Sequence, residues 1–398
     1  MRVLVYISTL ILSLCCSAVS AVSLDDSNRF FDFAEERYAR YFSPAGQETV
    51  AYKDYLVRYY PETNIYLATL EDGVYVYGKS LGEGIIYIGE VFDFITVNEE
   101  TPSEQEAEII DLTALILTQR SENCADYAGN YISSVSDVSR ALSFEGNLGI
   151  SVDNGKCSFS SNNIPNHDMG EGGAFATPVS EVSQTFDVTA SPSFASSPTA
   201  LTLSYDNAIL LNGVKVDLFA AACYGVADGK IGCNDINQPW RLDPMSPNNQ
   251  FGTDSHNAHT QPNGAYHYHG NPKALFDFST AIVSPVVGFA ADGFPIFGSY
   301  FDDAGLVRKA ESSYQLKTGL RPDGNEDPGG SYDGTYRDDY EFMEGSGDLD
   351  ECNGMTVDGV YGYYIIDEFP YLLACFMGTP DASFSKASGV GPEPGVAP

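Results

Sequence analysis

Six cysteines, at 124, 157, 223, 233, 352 and 375, follow a short apolar leader, and this pairing of features sets the strongest constraint on what the chain can fold into. The chain begins Met1-Arg2 and runs apolar from Val3 to Val19, with small residues at Ala18, Ser20 and Ala21. That pattern reads as a secretory signal over residues 1–21, which takes Cys15 and Cys16 away with it. An exported chain folds where thiols oxidise, and an even cysteine count there implies disulfides. Proximity along the chain favours Cys223 with Cys233 and Cys352 with Cys375, leaving Cys124 with Cys157, but six cysteines permit fifteen pairings and the sequence does not choose between them. A thiolate metal site is disfavoured, because no Cys-x-x-Cys pair occurs.

The rest of the chain reads as short strands. Residues 28–42 space aromatics as an amphipathic helix does. Leu56–Tyr60, Ile65–Thr69, Gly73–Tyr77 and Ile85–Ile88 follow as strand signals between turn residues, and the meander closes near residue 96. Residues 25–96 are thus expected to form a small α+β module, and the run resembles N-terminal modules of secreted bacterial proteins. The stretch from Thr101 to Arg120 reads as a capped helix within a helical linker over 97–123. From Cys124 to Phe384 short apolar runs such as Ala200–Ser204, Ala208–Leu211 and Val283–Phe289 alternate with Gly, Asn, Asp and Pro. The expectation is a mainly β domain with long loops, sandwich-like in class. The Gly- and Pro-rich tail, 385–398, lacks the apolar residues for a core.

Twenty Lys plus Arg against 55 Asp plus Glu give a formal charge of −35, which repels phosphate backbones and anionic lipid surfaces. Nucleic acid is therefore not an expected partner. After signal cleavage no stretch approaches the roughly 18 uninterrupted apolar residues that a membrane span needs. Export to the periplasm or the medium fits both.

Four of the five histidines, His256, His259, His267 and His269, fall within fourteen residues, where even scattering would put roughly 0.2. They are arranged as His-x-x-His followed by His-x-His. On a strand, residues two apart share a face, so His267 and His269 present two imidazoles to one ion while Tyr266 and Tyr268 face the other way. The Pro262-Asn263-Gly264 turn folds His256 and His259 back toward them. Imidazole suits zinc and copper, the expected ions, better than calcium or magnesium. The fifth histidine, His167, and the acids Asp254 and Asp292 are candidates for the surrounding shell, as are Tyr266 and Tyr268. The competing reading has the histidines capping turns and bonding only to protein groups.

The motif "GAYHYHGNP", together with "GVADGKIGCNDINQPW", "FAADGFPIFGSYFDD" and "ACFMGTP", resembles the YHYH domain family over roughly residues 145–384. The resemblance carries over to Tyr266, His267, Tyr268 and His269 and implies no catalytic residue, since the family is named for its motif rather than for a reaction. Asp348-Leu-Asp350-Glu-Cys352-Asn353 begins like a calcium loop, but Cys352 and Gly359 stand where an EF-hand needs an oxygen ligand and an acid. A structural calcium site of another kind remains an expectation there. Nucleophile elbows, phosphate loops and dinucleotide fingerprints are missing. Three functions follow as candidates: a secreted zinc- or copper-binding protein; a metal-dependent enzyme with Asp254 or Asp292 as base; and an extracellular surface or adhesion module.

Overall fold

The computed structural model describes the backbone of six strands between residues 48 and 97, and residues 109–386 apart from 228, 230 and 279–281. The signal segment, the helix expected over 28–42 and the tail from 387 lie outside the described residues. The chain divides into two compact units, 1–105 and 106–398.

In the first unit, β1 (Glu48–Tyr52), β2 (Tyr55–Tyr60), β3 (Ile65–Leu70), β4 (Gly73–Gly78), β5 (Gly82–Ile88) and β6 (Val91–Val97) form one antiparallel meander in sequence order. The strands read from Tyr and Val spacing are all present. β4 opens at Gly73 as expected, and β5 opens at Gly82, three residues before the strand signal at Ile85.

The second unit begins with a strand where a helix was expected. Within the linker, β7 (Ile109–Asp111) pairs in parallel with β8 (Gly129–Asp137), Ile110 opposite Tyr131. β-branched isoleucines fit the pleat better than a helix turn, and Ala114 adopts a φ of 52° that no right-handed helix accommodates. The sheet continues through β9 (Leu142–Asp153) and β10 (Lys156–Ser161) to β11 (Gln184–Thr189). Short strands follow: β12 (Thr199–Ala200), β13 (Ala208–Leu210), β14 (Lys215–Val216), β15 (Ala258–Thr260), β16 (Tyr266–Tyr268), β17 (Val286–Ala290) and β18 (Pro295–Phe297). After them come β19 (Tyr300–Asp303), β20 (Leu306–Lys309), β21 (Tyr314–Leu316), β22 (Tyr340–Phe342), β23 (Gly354–Val357), β24 (Val360–Tyr364) and β25 (Cys375–Phe376). Eight of these form a mixed sheet in the order β15-β16-β14-β13-β17-β18-β24-β23, and the others pair two by two. Among the described residues the helical elements are three short 3-10 turns, at Cys124–Tyr127, Arg337–Asp339 and Ala382–Phe384, so the protein is mainly β with long loops.

The five- and eight-stranded sheets share one core. Phe159 of β10 meets Phe289 of β17 with ring centroids 6.0 Å apart, and Leu148, Ile150, Val188, Ile209 and Leu210 are buried with them. At the β13–β17 crossing Gly288 is required, since a Cβ there would lie 2.6 Å from the Ile209 carbonyl oxygen. Disulfides join Cys124 to Cys157, Cys223 to Cys233 and Cys352 to Cys375, the pairing that sequence proximity favoured. Non-reducing peptide mapping is expected to recover these three pairs. Replacing Cys124 and Cys157 together by Ala should lower stability by about 2–5 kcal/mol in denaturant unfolding, since the link closes a loop between two buried positions.

Candidate metal centre

The hairpin that carries the site follows from its turn. Gln261 and Gly264 close it, the Gly264 amide donating to the Gln261 carbonyl at 2.7 Å, and Gly264 takes a φ of 86°. A side chain at Gly264 would also strike Ser180, 2.5 Å from an ideal Cβ, so glycine alone fits. This turn sets His259 of β15 directly opposite His267 of β16. His269 lies two residues beyond His267 on the same face, held by its amide donating to the Asn257 carbonyl at 2.9 Å. All three imidazoles are buried, with exposures of 9%, 2% and 3% for His259, His267 and His269.

Their Nε2 atoms converge. His269 Nε2 lies 2.9 Å from His267 Nε2 and 3.0 Å from His259 Nε2, and one ligand atom from each residue falls within 4.8 Å of the others. His259 Nδ1 lies 2.5 Å from the Phe251 carbonyl oxygen, which only accepts, so Nδ1 carries the proton and Nε2 offers its lone pair inward. Burial is the main cause that lowers all three pKa values, and His267 and His269 fall well below the usual imidazole range because each also feels neighbouring positive charge. The imidazoles therefore stay neutral. An imidazole nitrogen presents either one proton or one lone pair, so His269 Nε2 cannot pair fully with both of its neighbours, whereas one cation would engage all three lone pairs. A tetrahedral ion with bonds of about 2.0–2.1 Å separates its ligand nitrogens by roughly 3.3 Å, so an ion would widen the two short separations by only a few tenths of an ångström. The donor set fits zinc or copper.

The opposite face of β16 is a polar brace. Tyr266 and Tyr268 are fully buried, as the alternation required, with rings 5.6 Å apart. Tyr266 donates to Asp254 Oδ2 at 2.9 Å. Tyr268 accepts from Asn212 Nδ2 at 3.0 Å and donates to His167 Nε2 at 2.5 Å, and His167 Nδ1 donates to the Asp168 carbonyl at 2.7 Å. His167 thus belongs behind the triad, locked as a neutral imidazole.

Three expectations need correction. His256 does not join the triad. Asp254 Oδ1 accepts from the His256 amide at 3.0 Å and Asn257 has a φ of 63°, so the chain turns before β15 and His256 stacks on His167 at 3.9 Å instead. An i, i+3 spacing puts two side chains on one face only in a helix, and this segment is a turn. Asp292 sits in the β17–β18 turn, where its Oδ2 accepts from Tyr363 OH at 2.7 Å and from the Gly378 amide at 2.8 Å. Asp254 likewise serves Tyr266 and backbone amides rather than an imidazole. The supposed calcium loop is committed elsewhere as well: Asp348 forms a two-pronged pair with Arg308, and Asp350 accepts from the Cys352 and Gly354 amides and from Tyr361 OH. Sequence reading missed the Phe251 carbonyl and Asn212. The first is a backbone atom that leaves no trace in residue identity, and the second lies remote in sequence.

Burial, and secondarily the charge of His256, hold the His167 pKa down to about 3, against about 6.5 in an unfolded chain. Between those values the unfolded chain binds a proton that the native protein refuses. Stability contributed by neutral His167 is therefore fully present above pH 6.5 and is lost as pH falls toward 3. His167→Gln is expected to flatten the acid limb of unfolding free energy by about 1.4 kcal/mol per pH unit between pH 6 and 4. An unchanged slope would show that His167 is charged or exposed.

Comparison with curated proteins and with solved structures finds no match. A protein-family model described as YHYH protein matches residues 185–378, a narrower span than the motifs suggested. The match takes in all three triad histidines and both tyrosines between and beside them, and leaves His167 and strands β7–β10 outside. The chain carries a domain of the YHYH family in its C-terminal unit.

Proposed function

We propose that this is a secreted metal-binding protein whose His259, His267 and His269 hold one zinc or copper ion. The observation that carries the reading is the convergence of three buried, neutral imidazoles, with Nδ1 of His259 anchored on a backbone carbonyl and its Nε2 turned inward. Neutral imidazole nitrogens converging on one point form a ready ligand set, and a bound cation would draw on their lone pairs together. Export is supported by the leader and by the three disulfides.

Capture is preferred over hydrolysis. Three protein ligands leave a fourth position open, as in catalytic zinc sites, yet the two carboxylates suggested as general base are bound to tyrosines and backbone amides. The adhesion reading expects the histidines to lie apart or to bond only to protein groups, and the convergence of three imidazoles on one point favours an ion over it. Elemental analysis of purified mature protein, after dialysis against a weak chelator, is expected to find about one zinc or copper per chain. The His267→Ala/His269→Ala double variant should hold none, and His256→Ala should keep its ion. Metal retained by the double variant, or absent from the wild type under all loading conditions, would remove the proposal.

A further inference from the structure

Lys215 is a lysine buried among apolar residues. It stands on the two-residue strand β14 with 3% of its side chain exposed, and Asp206, at 5%, faces it from the segment that leads into β13. The neighbouring Ala208, Ile209, Val214, Val216 and Phe384 are fully buried. Backbone bonds fix both partners: the Asp206 amide donates to the Phe384 carbonyl at 2.9 Å, and the Asn207 amide to the Val216 carbonyl at 2.7 Å. Lys215 Nζ lies 3.1 Å from Asp206 Oδ1 and 3.2 Å from Oδ2, so it faces the carboxyl carbon between them. Oδ2 accepts the lysine's hydrogen bond, and Oδ1 accepts none among the described residues.

A second pair borders the first. Lys386 pairs with Asp217, which also accepts from Gln261 Nε2 at 3.1 Å, and Lys386 Nζ lies 3.8 Å from Asp206 Oδ1. Burial raises the Asp206 pKa, and the Asp217 charge adds to that against the two lysines. Apolar surroundings disfavour both charges of an ion pair, so a proton passed from Nζ to Oδ2 leaves a neutral amine facing a neutral acid.

We propose that this pair condenses once the chain has folded, joining Lys215 Nζ to Asp206 Cγ in an intramolecular amide. The Nζ lone pair attacks Cγ, and the π electrons of the carbonyl move onto Oδ1, where the Lys386 ammonium offsets the negative charge. The Cγ–Oδ2 bond then breaks, Oδ2 leaves as water with a second proton from Nζ, and the electrons on Oδ1 restore the carbonyl. One proton stays on the amide nitrogen, so the step needs no co-reactant and releases one water. The fold supplies what an unfolded chain lacks, an amine and a carboxyl held in contact, and the product leaves no charge on either buried side chain. Val216, the next residue, pairs with Tyr268, so the bond pins the strand beside the histidine hairpin. The inference does not depend on a bound ion.

Mass spectrometry of the reduced, denatured full chain tests it. The wild type is expected to weigh one water less than its sequence requires, and trypsin is expected to leave the bond after Lys215 uncut. Lys215→Arg, which keeps the charge pair but cannot form this amide, should show the full mass. A wild-type chain of full mass that trypsin cuts after Lys215 would overturn the proposal and leave a plain buried ion pair. A water loss that hydroxylamine reverses, or that Lys215→Arg retains, would overturn it as well, because it would mark a succinimide at an Asp-Gly site. Both wild-type readings stand even where the variant fails to fold.

Discussion

The register between β15 and β16 is the constraint on which the site depends. With His259 opposite His267, the strand alternation delivers three imidazoles to one face and two tyrosines to the other, and a slip of one residue would exchange the two sets. Two features hold that register. The Gly264 turn tolerates no side chain, and the polar groups behind the tyrosines accept only the native arrangement. Asp254, Asn212 and His167 each find a partner when Tyr266 and Tyr268 point toward them, and each would lose that bond if they did not.

The site is thus two-sided, with a hydrogen-bonded tyrosine face and a face of three converging imidazoles. A closed polar network rigidifies the strand, and the imidazoles on its other face are then held in fixed positions. The same division explains why His256 and His167 are no part of the ligand set despite their residue type. They stack on each other near the tyrosine network, where His167 needs its lone pair for Tyr268.

Much of this was legible in the sequence, because local rules govern it. The strand class of the chain, the turn at Pro262–Gly264, the shared face of His267 and His269 and the opposite face of the tyrosines all follow from period-two alternation and turn chemistry. The three disulfides likewise joined the cysteines that proximity favoured. What failed was local pattern overridden by context. Ile109–Asp111 looked helical, but an open edge of β8 offered pairing that an isolated short helix could not match. His256 looked like a ligand because its spacing was read without knowing that Asp254 would turn the chain. The Phe251 carbonyl was invisible because residue identity says nothing of a backbone atom, and Asn212 because it meets Tyr268 from 56 residues away.

The three proposed ligands span only eleven residues, from His259 to His269. Closing so short a segment around an ion costs little chain entropy, so an unfolded chain would retain some grip on the metal through the same imidazoles. Affinity for the unfolded state subtracts from the stabilisation that an ion confers on the native one. The ion would therefore act less as a rivet for the finished fold than as a guide early in folding, drawing β15 and β16 into register while the distant strands of the sheet are still being assembled.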